Sequence, residues 1–95
     1  MKHAGYIIQD SEGYAIYGIG QTVDEAWEEV KSAINFLDFE GNEVADDVAY
    51  HTQFKVFGAT QALLDKVKAE GGAISWDIVK GLACTHEETE NINHE

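Results

Sequence analysis

A chain of 95 residues with 44% hydrophobic and 11% aromatic residues has the material for one hydrophobic core, which argues against both a disordered polymer and a two-domain protein. Its 18 Asp and Glu stand against 6 basic residues, all lysine, for a formal net charge of -12, and this works against direct binding to DNA or RNA. The apolar runs are too short for a membrane helix or a signal-peptide core, and Cys84 is alone, so a cytoplasmic protein without a disulfide is expected.

In chain order, Gly5 to Gln9 and Tyr14 to Ile19 read as two strands joined through Asp10, Ser11, Glu12 and Gly13, a polar turn. Tyr6 and Ile8 face one way and Ile7 the other; on the second strand Tyr14 and Ile16 oppose Ala15, Tyr17 and Ile19. With apolar residues on both faces, this hairpin is either covered twice or serves partly as a contact surface. A helix from Thr22 to Leu37 follows. Thr22 and Glu25 form a capping box, and Val23, Ala26, Trp27, Val30, Ala33, Ile34 and Leu37 recur at helical spacing. Asp24, Glu25, Glu28 and Glu29 occupy the opposite face of its first two turns.

From Asp38 to Tyr50 the chain carries Asp38, Glu40, Glu43, Asp46 and Asp47 with no basic residue. Most of it reads as loop, with a short helical piece around Val44 to Ala49 after an Asn42 cap. Gln53 to Phe57 reads as a strand. Thr60 then caps a second helix with Leu63, Leu64 and Val67 on its stripe, and Gly71 and Gly72 stop it. Ile74 to Val79 and Leu82 to His86 form a second hairpin across Lys80 and Gly81. The reading is one α+β domain over residues 1–86, in the order β-β-α-(acidic loop)-β-α-β-β, and an acidic flexible tail over 87–95. Its sheet is mainly antiparallel, with both helices packed on one face.

Residues 5–37 resemble the N-terminal domain of HicB-type antitoxins. The resemblance lies in Tyr6-Ile7-Ile8, Gly13-Tyr14-Ala15-Ile16, the run Gly20-Gln21-Thr22-Val23-Asp24-Glu25-Ala26, and Ala33-Ile34. It implies a hairpin and helix that serve as a scaffold offering an edge to a partner; members of that family bind and inhibit a small basic RNase toxin. The family's longer proline-bearing segment before the helix is absent, and no C-terminal DNA-binding module follows residue 50.

Among chemical motifs, Cys84 and His86 alternate on one strand and would offer two ligands to zinc, but no further ligands stand at metal spacing. Asp38, Glu40 and Asn42 begin a calcium-loop count that fails at Glu43 and Ala49, which stand where glycine and a bidentate glutamate are needed. Ser11, Ser32 and Ser75 lie in no nucleophile motif. No cofactor and no metal are expected. Asp24 with Glu28, and Glu25 with Glu29, are like-charge pairs that weaken a helix. The expectation is therefore a non-enzymatic protein that binds a basic protein partner. It would inhibit a nucleic-acid-binding protein by phosphate mimicry, in the physical manner of phage and mobile-element inhibitors. The contact would be Asp24, Glu25, Glu28, Glu29, Asp38, Glu40, Glu43, Asp46 and Asp47. The alternatives are a HicB-like regulator holding a small toxin, and a metal or thiol enzyme using Cys84 and His86. An open sheet edge would also allow a homodimer.

Overall fold

Alternation starts the sheet. Strand β1 (Gly5–Asp10) sends Ile7 to one face and Ile8 to the other, and both are fully buried in the computed structural model, which describes residues 2–13 and 15–93. Strand β2 (Ile16–Gly20) runs antiparallel beside it, Ile19 opposite Ile7 and Gly18 opposite Ile8. A bulge at Tyr17 brings Ile16 opposite Gln9, so Ile16 and Ile19 join one core cluster although a regular strand would send them to opposite faces. Tyr14 lies outside the described residues.

Helix α1 (Val23–Ala33) is set by its cap: Thr22 Oγ1 accepts from the Glu25 N–H at 3.1 Å. Glu25 Oε2 accepts in return from Gln21, at 2.8 Å, one residue ahead of the expected Thr22 N–H. Ala26 and Val30 bury its inner stripe against Ile8. The helix lies directly on β2 because Gly18 and Gly20 lack a Cβ; one at Gly18 would overlap the Ala26 carbonyl. The helix stops at Ala33, short of the expected Leu37, which instead bridges to Glu43 across a turn.

Helix α2 (Asp46–Gln53) follows, with Ala45 at its N-cap and no side-chain cap bond, so Asn42 does not cap it. Strand β3 (Phe54–Ala59) pairs antiparallel with β1. Helix α3 (Gln61–Glu70) is capped by Thr60, which accepts from the Leu63 N–H at 3.3 Å, and ends at Gly71 with φ 87. Strands β4 (Asp77–Val79) and β5 (Leu82–Cys84) form the second hairpin across Lys80 and Gly81, at φ 54 and 82, as a two-residue turn with two left-handed positions requires.

The sheet has five strands in the order β2-β1-β3-β5-β4, antiparallel except where β5 runs parallel to β3. The α+β class and the mainly antiparallel sheet are as the sequence indicates. The helices, however, are not on one face. Leu63, Leu64 and Val67 of α3 cluster with Ile7, Ala59 and Ala83, whereas Ala26 and Val30 of α1 cluster with Ile8 and Phe54. A central strand apolar on both sides needs cover on both sides.

A second difference lies after the sheet. Residues 87–93, read from the sequence as tail, belong to a fourth helix, α4 (His86–Asn93). Thr85 and Glu88 form its capping box: Thr85 Oγ1 accepts from the Glu88 N–H at 3.2 Å, and Glu88 Oε1 accepts from the Thr85 N–H at 3.0 Å. Residues 94 and 95 lie outside the described part. Among the described residues no helix is long and apolar enough to cross a membrane.

Candidate functional site

The nine carboxylates singled out in the sequence are all exposed, and the fold distributes them over three regions. The first joins α1 to α2. Trp27 stacks on Phe36 with ring centroids 5.2 Å apart and meets Tyr50 edge-on at 5.0 Å, which ties the two helices together. Asp24 and Asp47 thereby reach one hollow of about 320 Å³, lined also by Val23, Trp27, Tyr50 and His51. One turn along α1, Glu28 holds Lys31 at 2.6 Å. The hydrogen bond that Lys31 donates to Glu28, with the fields of Asp46 and Asp24 behind it, keeps the Lys31 pKa above its ordinary 10.5. Lys31, Glu43 and Asp46 line a neighbouring hollow of about 270 Å³.

Glu25 and Glu29 turn to the other flank of α1. There they face α3 across a groove of about 530 Å³, together with Gln61 and Lys68. The third region is the turn between Leu37 and Glu43. Asp38 Oδ1 accepts from the Glu40 and Asn42 N–H groups, each at 2.9 Å, and these backbone donors, Asn42 foremost, hold its pKa below the ordinary 3.8. At the tip stands Phe39 with 105% relative exposure, beside half-exposed Leu37. Sequence reasoning passed over Phe39, although an aromatic side chain amid Asp38, Glu40, Gly41 and Asn42 has no local apolar partner and so signals display.

Cys84 and His86 do not form a ligand pair. Strand β5 ends at Cys84, whose buried thiol lies 3.6 Å from Thr89 Oγ1. His86 opens α4 and is exposed, with Nδ1 2.6 Å from Asp77 Oδ2. The alternation expected of a strand is broken because the cap at Thr85 starts a helix between them. Among the described residues no three His, Cys, Asp or Glu side chains converge as metal ligands would.

One carboxylate outside the expected set has a structural duty. Glu88 Oε1 accepts from Thr60 Oγ1 at 2.6 Å as well as from Thr85, so it links the caps of α3 and α4. The signal that would have found it is Thr85-His86-Glu87-Glu88, the same spacing as Thr22 to Glu25.

No protein-family model matches the chain, and no match is found among curated proteins or solved structures. The resemblance of residues 5–37 to HicB-type antitoxins thus rests on those residues alone.

Proposed function

We propose that this chain is a small, non-enzymatic binding protein that occupies a basic surface on a protein partner, its carboxylates standing where phosphates otherwise would. The observation that carries the reading is the meeting of Asp24 and Asp47, from two different helices, at a hollow walled by Trp27 and Tyr50. Carboxylates beside aromatic rings suit the head and stem of a lysine or arginine side chain, which gains an ion pair and a cation–π contact in one position. Among the described residues only Glu28 of the nine carboxylates has a lysine partner, which leaves Asp24 and Asp47 without a cation of the chain's own paired to them. A net charge of -12 steers such a partner in and repels nucleic acid, which makes the target a protein that itself binds phosphates.

The test is capture from nuclease-treated lysate on the immobilised protein, eluted in a salt gradient, with wild type compared against Asp24→Asn/Asp47→Asn. A basic nucleic-acid-binding protein should elute as salt rises, and the double variant should bind it on the order of tenfold more weakly, since each exposed charge contributes up to about 1 kcal/mol. Retention indifferent to salt and to both substitutions would overturn the reading.

A further inference from the structure

The hollow that Asp24 and Asp47 share is built from one short pattern used twice. In α1 an aspartate precedes a ring by three positions, Asp24 and Trp27, and in α2 the same spacing joins Asp47 to Tyr50, with His51 next to it. Residues three or four apart stand on one face of a helix, and each side chain leans toward the N-terminus, so both rings lie toward their own aspartate. Val23, Trp27 and Tyr50 are half-buried, whereas Asp24, Asp47 and His51 are exposed. The hollow thus has an apolar floor and a charged rim.

Its rings are braced and stand across one another. Tyr50 meets Trp27 at 77° and His51 meets Tyr50 at 87°, with centroids 5.0 and 5.1 Å apart. Phe36 lies flat against Trp27 at 5°, and Phe54 meets it at 69°, 5.6 Å away. A primary ammonium is compact and strongly hydrated, and beside exposed aspartates it keeps much of its water, so its gain there is small. Methyl groups on the nitrogen keep the charge, weaken the hydration and widen the cation until it touches several rings at once.

Resting on the reading of this hollow as the seat of a partner's cation, we propose that its ligand is a methylated lysine of the partner, above all a trimethylated one. The rings of Trp27, Tyr50 and His51 receive the methyl groups, and Asp24 and Asp47 balance the charge from the rim. Choline phosphate carries the same head, but its phosphate would stand beside both aspartates in a chain of net charge -12, which favours the lysine source.

The probes are three short capped peptides that differ at one central lysine: unmodified, trimethylated, or replaced by the neutral isostere with carbon in place of the methylated nitrogen. Each is titrated into the protein at low salt and mildly alkaline pH, where histidine is neutral, and followed by NMR. The trimethylated peptide should bind about tenfold more tightly than either of the others. It should shift the indole N–H signal of Trp27 and not that of Trp76, which is buried on the other face of the sheet. Tyr50→Leu should abolish the preference. Asp47→Asn should weaken the trimethylated peptide several-fold, whereas Glu70→Gln, an equal loss of charge outside the hollow, should not.

Equal affinity for the unmodified and trimethylated peptides, both weakened by Asp47→Asn, overturns the methyl-lysine assignment and leaves the basic-partner reading intact. An isostere that binds as tightly as the trimethylated peptide overturns both, since the hollow would then read apolar bulk and no charge. A Trp27 signal that no peptide moves overturns this ligand alone, and salt-dependent capture still decides the other reading. Choline phosphate binding as tightly as the trimethylated peptide overturns the protein source in favour of a lipid headgroup. Where Tyr50→Leu loosens the fold, the isostere still decides, because it needs no change in the protein.

Discussion

At Asp38 a single carboxylate organises the turn in which a calcium-loop count begins and fails. Its oxygen accepts from Glu40 and Asn42, while its own N–H donates to the Asn42 carbonyl at 3.0 Å, so the residues counted as ligands are tied to one another. The folded pKa of Asp38 lies below the ordinary 3.8. The contribution of this turn to stability is therefore complete above the ordinary value and is lost as pH falls through the lower, folded one. In an acid titration followed by NMR, the Glu40 and Asn42 amide signals should move together with a midpoint below 3.8; a midpoint at or above it would mean those donors do not hold the carboxylate. Phe39 sits on this ordered turn at full exposure, so its removal costs the fold little. Phe39→Ala should change unfolding free energy by no more than about 0.5 kcal/mol. If it also weakens retention of a captured partner, the aromatic side chain is an anchor at the interface.

Among the elements, α1 was legible because its signals are local: Thr22 caps Glu25, and Ala26 and Val30 recur at helical spacing. Helix α4 carries the same capping spacing from Thr85 to Glu88 but only one apolar residue beyond it, Ile92, so composition argued for a tail. What secures it is not local. Thr60 donates to Glu88 across 28 positions of sequence, and no periodicity reports such a bond. The parallel pairing of β5 with β3 was hidden for the same reason, since α3 and β4 intervene in the chain. The two faces of β1 were visible in Ile7 and Ile8, yet their pattern does not say which helix takes which face. Glu88→Ala should leave buried Thr60 and the Thr85 N–H without their acceptor and cost about 1–3 kcal/mol in denaturant unfolding. Amide exchange in α4 should rise before that of the sheet, and Glu88→Gln should fall between the two. Uniform loosening of the whole sheet would show that α4 is not a separate unit.

For the whole molecule, the list of acidic residues was legible in the sequence and their arrangement was not. Two glutamates turn toward α3 while Asp24 turns toward α2, because β2 and Trp27 fix how α1 sits on the sheet. The charge itself makes two demands of opposite sign. Like charges on one fold repel, so salt should stabilise the protein at the same concentrations at which it weakens binding to a basic partner. The variant Asp24→Asn/Glu25→Gln/Glu28→Gln/Glu29→Gln separates the two. Glu25→Gln keeps an oxygen for the Gln21 N–H, and only the exposed Glu28 to Lys31 pair is lost among the described ion pairs. At low salt the variant should unfold at a higher denaturant midpoint than wild type, and the two should converge near about 1 M salt, where screening acts over about 3 Å. Its retention of the captured partner should fall over the same range. If the variant is instead the less stable protein at low salt, the helix dipole's attraction for Asp24 and Glu25 outweighs their repulsion. The acidic face would then stabilise its own helix, and its charge would need no binding partner to account for it.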